Sequence, residues 1–181
     1  MPVKEVERLI VGADDSNHAG TSKGEIIVAT FSFLTEDSIV RRFPNVRDFE
    51  STEFWLSSPN RDYRYALLTA ERYRHSSQNL VEVVPLLLKE YLDERDLMVK
   101  NLKIFLDGRL AMSNRRRMRE EFLKFRGIEG VVVDNFTKKK PTPTGKTEKH
   151  PQCPAVVYHA DILANRLYHE ALENPRLIYR D

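Results

Sequence analysis

Leu9-Ile10-Val11-Gly12-Ala13-Asp14-Asp15-Ser16-Asn17-His18 is an apolar run of strand length that stops abruptly at two carboxylates. After a short loop, Glu25-Ile26-Ile27-Val28-Ala29-Thr30-Phe31-Ser32-Phe33 begins a second run rich in β-branched and aromatic residues. Two such runs in close succession predict an antiparallel pair with acids at one end. An unpaired charge inside a core costs several kcal/mol or more, so a strand buried on both faces tolerates acids only at its ends. Asp14 and Asp15 therefore either open a polar turn or mark a place where a metal ion sits.

Composition bounds the rest. A chain of 181 residues is long enough for one domain with a sizeable core, and a single domain over 1–181 is expected. The formal net charge is +2, with 31% charged and 41% hydrophobic residues, so charge alone names no partner. Its distribution says more. Arg115, Arg116, Arg117 and Arg119 crowd one predicted helix, and Lys138, Lys139, Lys140, Lys146 and Lys149 crowd one predicted loop. Such runs are usually solvated faces, with nucleic-acid contact as the alternative. The single Cys153 excludes an internal disulfide. Met1-Pro2-Val3-Lys4 does not open a signal peptide and no apolar run is long enough to span a bilayer, so a cytoplasmic location is the default expectation.

The first strand is expected over about residues 8–14 and the second over about 24–33. Ser38-Ile39-Val40-Arg41-Arg42-Phe43 alternates loosely after a turn-like segment, which predicts a third strand closing a meander. Between Pro44 and Pro59, Val46, Phe49, Trp55 and Leu56 form one face of a short helix. Arg64 to Glu71 alternates as a fourth strand. Leu80, Val83, Val84, Leu87, Leu88 and Tyr91 recur at helical spacing, predicting a helix over about 77–93 capped by Ser76 or Ser77, with Pro85 lying off the stripe. Leu102-Lys103-Ile104-Phe105-Leu106 is a strand ending in Asp107-Gly108, a dipeptide that is also a common turn signal. Strand, crossover helix and strand imply a parallel pairing. Ser113 is expected to cap a helix with Met118, Phe122 and Phe125 on its apolar stripe. Gly130 to Val133 is a last strand ending in Asp134, residues 137–152 form an exposed basic loop, and Val156 to Glu173 is a final helix with His159 and Asp161 in its opening turn. Acids following three strands, Asp14, Asp107 and Asp134, converge if those ends share one edge, where ligands of open sheets bind.

Gly12-Ala13-Asp14-Asp15 resembles the Gly-x-Asp-Glu that opens ribonucleases H of type 2, and Leu106-Asp107-Gly108 resembles their strand-terminal Asp-Gly. Ala160-Asp161-Ile162-Leu163-Ala164 is similar to the Ala-Asp-x-Leu-Ala of the last helix in many members of the ribonuclease H-like superfamily. The order and approximate spacing of elements resemble that fold from Leu9 to about Ala171. The resemblance implies an α/β fold, a ribonuclease H-like mixed sheet in which an antiparallel three-strand meander is followed by parallel strands, flanked by helices. It also implies a metal-dependent site for cleaving phosphodiester bonds of nucleic acid, with Asp14, Asp107 and Asp161 as its carboxylates. Departures limit the likeness to the superfamily. Ser16-Asn17-His18-Ala19-Gly20 stands where type-2 enzymes carry a Gly-Arg-Gly segment that reads the hybrid substrate, Asp15 stands where they have Glu, and the motif around Asp161 is closer to the resolvase and transposase branch.

Carboxylates without cysteine suit Mg2+ or Mn2+ better than zinc, because magnesium demands oxygen ligands in near-octahedral array. Two ions about 3.5–4 Å apart activate a water and stabilise the leaving oxygen in an in-line displacement at phosphorus. On this expectation Asp14 bridges both ions, Asp107 holds one and Asp161 the other, with Asp15 and Asp134 in reserve. His159 either assists proton transfer or contacts a phosphate, although a packed histidine is commoner; the same holds for His18. Lys23, Arg109, Lys138, Lys139 and Lys140 are the candidates for phosphate contact. Tyr63, Tyr65 and Tyr73 are expected to pack. Three classes of function fit: a magnesium-dependent nuclease, a catalytically silent nucleic-acid or protein-binding module on the same fold, and a different phosphate-handling or small-molecule enzyme with acids at strand ends.

Overall fold

The computed structural model describes residues 3–16, 24–44, 48–68, 76–108, 110–136 and 152–173. Along the chain the elements are β1 (Lys4–Asp15), β2 (Glu25–Ser32), a 3-10 turn at Thr35–Ser38, β3 (Arg41–Arg42), α1 (Phe49–Leu56), β4 (Arg61–Leu68) and α2 (Ser76–Glu94), then β5 (Leu97–Asp107), α3 (Met112–Phe122), β6 (Gly130–Phe136), β7 (Gln152–Cys153) and α4 (Ala155–Glu173).

β1 is the middle strand of a five-stranded sheet ordered β4-β2-β1-β5-β6. It pairs antiparallel with β2 and parallel with β5, and β6 runs parallel to β5. The chain lays down one half of the sheet on one side of β1 and the other half on the opposite side, so the order of strands reverses at β1 and β5. That is the crevice where open α/β sheets bind ligands. From Leu9 to Asp15 every residue of β1 is buried, as is all of β2, which explains why both read as continuous apolar runs rather than alternating ones.

Helices cover both faces. Leu9, Val11 and Ala13 point toward α2 and α3, sharing a core with Val84, Leu88, Tyr91, Met118 and Phe122. Ile10 and Phe105 point the other way, toward Val156 and Val157 of α4 and toward Trp55 of α1. Ile26 and Val28 meet Ala160, Leu163 and Ala164 of α4 on that same face. No helix among the described residues is long and apolar enough to cross a membrane.

The meander differs from expectation. Its third strand is β4, which pairs antiparallel with β2, while Ser38–Phe43 contributes only Arg41 and Arg42, paired with β7 in a separate two-stranded ribbon. Both arginines are exposed. Adjacent arginines alternate across a strand, so one of them would have to enter a packed face had this segment joined the sheet. Three smaller corrections concern helices. Pro85 is buried inside α2 instead of lying off its stripe. The residue capping α3 is Ala111, which makes no side-chain cap bond, and Ser113 lies inside the helix. Phe125 falls past the end of α3 and meets Phe122 edge to face, ring centroids 5.8 Å apart. α1 forms as expected, with the Asp48 carboxylate accepting from the Glu50 backbone N–H at 2.9 Å.

Candidate functional site

Alternation along β1 assigns its two acids to different faces. Gly12 faces α4, so Asp14, two residues on, shares its face, and Asp15 belongs with Val11 and Ala13 on the α2 side. On β5, Phe105 packs toward α4 and Asp107 follows on the same face. Ala13 is paired with Leu106, so Asp14 and Asp107 are the next residues of two parallel strands at one sheet edge.

α4, which carries the third acid, packs on that same face of the sheet. A Cβ on Gly12 would stand 2.3 Å from the Val156 carbonyl carbon, so helix backbone rests directly on the strand. The Thr30 hydroxyl donates to the Val156 carbonyl at 2.8 Å, and Thr30 is Gly12's partner in the ladder. Ala160, Leu163 and Ala164 then pack on Val28 and Ile26, so the helix runs toward the acidic edge. From Val156 to Asp161 the helix rises about 7.5 Å, and from Gly12 to Asp14 the strand advances about 6.6 Å. These ideal advances are similar in length, and Val28, the ladder partner of Asp14, packs against the same helix.

Each carboxylate is tied locally. Asp14 Oδ1 accepts from the Asp15 N–H at 2.9 Å, and Asp107 Oδ1 accepts from the Gly108 N–H at 2.9 Å. Gly108 has φ +95, a conformation that glycine adopts without penalty, and its N–H also reaches the Phe136 carbonyl at 2.8 Å. Asp161 Oδ1 accepts from the Asn165 side chain at 3.1 Å. Asp14 and Asp161 are buried and Asp107 is half-buried. Three carboxylates with no thiolate among them form a donor set whose chemistry fits Mg2+ or Mn2+. Among the described residues, however, no three His, Cys, Asp or Glu side chains stand close enough together to hold an ion.

The remaining sequence candidates lie apart. Asp134 is level with Phe105, two positions back from Asp107, inside β6 rather than at its end. His159 sits among aromatic rings, stacked on Trp55 at 4.5 Å and edge-on to Tyr158, with Nδ1 2.9 Å from the Thr52 hydroxyl. Burial pushes its pKa down to about 3, so the ring is neutral at physiological pH. That environment suits the packed histidine, not a proton shuttle beside Asp161. Lys23, Arg109, Lys138, Lys139 and Lys140 lie outside the described residues, as does the loop 137–151.

Two acids passed over in the sequence occupy central places. Glu25, at the start of β2, is 2% exposed, on Asp15's side of the sheet. Its Oε2 accepts from the Asn79 amide of α2 at 2.9 Å, while its Oε1 has no hydrogen-bond partner among the described residues. Burial raises its pKa, the Asn79 bond lowers it and the Asp15 charge raises it again, for a net rise. Alternation from Phe31 through Ala29 and Ile27 to Glu25 was the available signal. Asp37, fully buried, accepts from Arg61 Nε at 2.7 Å, from the Ser32 hydroxyl at 2.6 Å and from Trp55 Nε1 at 3.2 Å. Burial would raise its carboxyl, but the bonds from Arg61, Ser32 and Trp55 outweigh it and hold the pKa below the ordinary value. No local pattern announces this cluster, whose members are 24 residues apart at the Asp37–Arg61 pair.

No protein-family model and no curated protein matches the sequence. Solved structures do. A chain of the PCNA:RNase HII complex from Archaeoglobus fulgidus superposes with a TM-score of 0.55 at 11% identity, over 97% of this chain and 79% of that one. The ribonuclease H2 from Pyrococcus horikoshii OT3 superposes with a TM-score of 0.53 at 15% identity, over 93% of this chain and 76% of that one. Identity that low carries architecture alone. Together with a mixed sheet centred on β1 and helices on both faces, it shows that the chain has a ribonuclease H-like fold.

Proposed function

We propose that the chain is a divalent-metal-dependent nuclease that hydrolyses phosphodiester bonds of nucleic acid, with Asp14, Asp107 and Asp161 as its metal ligands. One observation supports this: Asp14 and Asp107 leave adjacent parallel strands on the same face, and α4, which carries Asp161, is seated on Gly12 of that face. Mg2+ or Mn2+ held there supplies an activated water and neutralises charge at phosphorus. The chain's own part is positional. β1 and β5 fix two carboxylates through the bonds from the Asp15 and Gly108 N–H groups, and Asn165 orients the third. Lys23, Arg109, Lys138, Lys139 and Lys140 serve this function by contacting phosphates, which adds affinity without sequence choice.

A second reading is a catalytically silent nucleic-acid or protein-binding module on the same fold. It is favoured by the lack of a metal-type cluster among the described residues and by the turn-capping bonds of Asp14 and Asp107. One experiment separates the two. Labelled single-stranded RNA, RNA–DNA hybrid and duplex DNA are incubated with wild type, Asp14→Asn and Asp107→Asn in Mg2+ and in Mn2+, with circular dichroism confirming folding. Even partners of metal ligands cost 10–100-fold on removal, so cleavage by a nuclease should drop roughly 100-fold or more in each variant. Binding without cleavage in all three proteins assigns the module instead.

A further inference from the structure

The nuclease site leaves unused the arginines of α3. Arg117 points to α2, its Nη2 3.9 Å from Glu82, and Arg116 Nε pairs with Glu120 at 3.0 Å. Arg115 and Arg119 pair with no carboxylate among the described residues. The Nε of Arg115 is buried without an acceptor among the described residues, and its Nη2 lies 2.6 Å from the Met112 sulfur. These arginines, Met112 and Val131 to Val133 of β6 line an open groove of about 490 Å³. Met112 is 75% exposed and Val132 51% exposed, so the groove is apolar along its floor and cationic along its rim.

The floor is a sheet edge. β6 is the outermost strand on its side and pairs only with β5 among the described residues, so one row of its backbone N–H and C=O groups faces outward. An extended peptide satisfies such a row by adding a strand, and alternate side chains then fall on alternate faces. Nucleic acid suits this groove less well. Among the described residues no aromatic ring lines the groove to stack a base.

We propose that this edge is a docking site for an extended acidic segment of a partner protein. The segment adds to the sheet beside β6 and places carboxylates, at every second residue on the α3 side, against Arg115 and Arg119. The intervening side chains, on the opposite face, are apolar and cover Val132. The site lies away from the carboxylate edge and stands whether or not the chain cleaves nucleic acid.

The test uses a labelled seven-residue peptide alternating Glu and Val, without divalent metal, read by fluorescence anisotropy and by amide shifts in the 1H–15N spectrum. Saturable binding with shifts concentrated in β6 and α3 is expected, weakened roughly tenfold or more by Arg119→Glu and by Arg115→Gln, with the spectra reporting retained folding. Arg119 is exposed, so Arg119→Glu decides if Arg115→Gln misfolds. The same peptide N-methylated at alternate amides keeps its charges but cannot form the ladder, and should not bind. Equal binding of the methylated peptide, shifts lying elsewhere, or no binding at all overturns the proposal. A single-stranded oligonucleotide that displaces the peptide and shifts β6 more strongly overturns it in favour of nucleic acid.

Discussion

Gly12 sets how closely α4 approaches the sheet, and through it the position of Asp161. The atoms that a Cβ would meet include the Val156 carbonyl carbon at 2.3 Å and oxygen at 2.5 Å, backbone atoms that cannot turn aside. Gly12→Ala should therefore cost about 3 kcal/mol, the upper end for overpacking, read from urea unfolding midpoints, and should also weaken metal binding by lifting α4. Glu25 and His159 make opposite predictions about pH. The folded-state pKa of Glu25 is raised above 4.5, so the folded protein binds the extra proton and stability falls as pH rises through that window. Glu25→Gln keeps the acceptor for Asn79, removes a buried charge beside Asp15, and should be more stable than wild type at neutral pH. Its advantage should vanish below about pH 4.5. His159 titrates near 3 when folded and near 6.5 when unfolded, so its contribution is complete above about pH 6.5 and is lost progressively as pH falls toward about 3. His159→Gln should flatten that part of the stability profile while losing the stacking on Trp55 at neutral pH.

Between elements, the Asp37–Arg61 pair ties the 3-10 turn and α1 to β4. Arg61 bonds Asp37 through Nε and Nη2, and its guanidinium lies 5.2 Å from the Trp55 ring centre, the ring on which His159 stacks. Breaking one side of a buried pair leaves the other charge uncompensated, so Arg61→Met should cost about 3–5 kcal/mol in thermal unfolding, with Asp37→Asn adding much less in the double variant than alone. The same cluster explains what the sequence did and did not make legible. Leu34-Thr35-Glu36-Asp37 is turn-like in sequence, and that Asp37 is buried depends on Arg61, which local patterning does not reveal. β1, β2 and β5 were legible because burial on both faces produces uninterrupted apolar runs with abrupt acidic stops. Of the strand expected at Ser38–Phe43 only Arg41 and Arg42 pair, and with β7 rather than β2, because loose alternation says nothing about which strand will accept it; β4 takes the place beside β2. At the site, Asp14, Asp107 and Asp161 could be proposed from motif and order, whereas Asp15 stayed in reserve beside Asp14 until the packing of Gly12 and Ala13 assigned the two acids to different faces. The burial of Glu25 needed α2 in place.

At the scale of the whole molecule, a net charge of +2 gives no general attraction for polyanions, so any nucleic-acid affinity must come from where cations are grouped. The grouped carboxylates at the β1–β5 edge oppose that attraction, and a phosphate backbone can approach them only where cations offset the repulsion. Lys138, Lys139 and Lys140 are the densest such group in the sequence outside α3. If they contact phosphates, each releases counterions, and the dependence of log K on log salt carries their number. Replacing all three with Gln should make that slope shallower by about 2.7 for duplex DNA or about 2.1 for a single strand, from about 0.9 or 0.7 per neutralised phosphate. Filter binding across a salt series measures the slope independently of cleavage, and with Asp14→Asn it can be done in Mg2+ without loss of substrate. An unchanged slope would remove the lysine loop from the nucleic-acid interface. A slope that falls by the full amount while the affinity at low salt drops equally for all sequences would identify these lysines as phosphate contacts that position a substrate without selecting it.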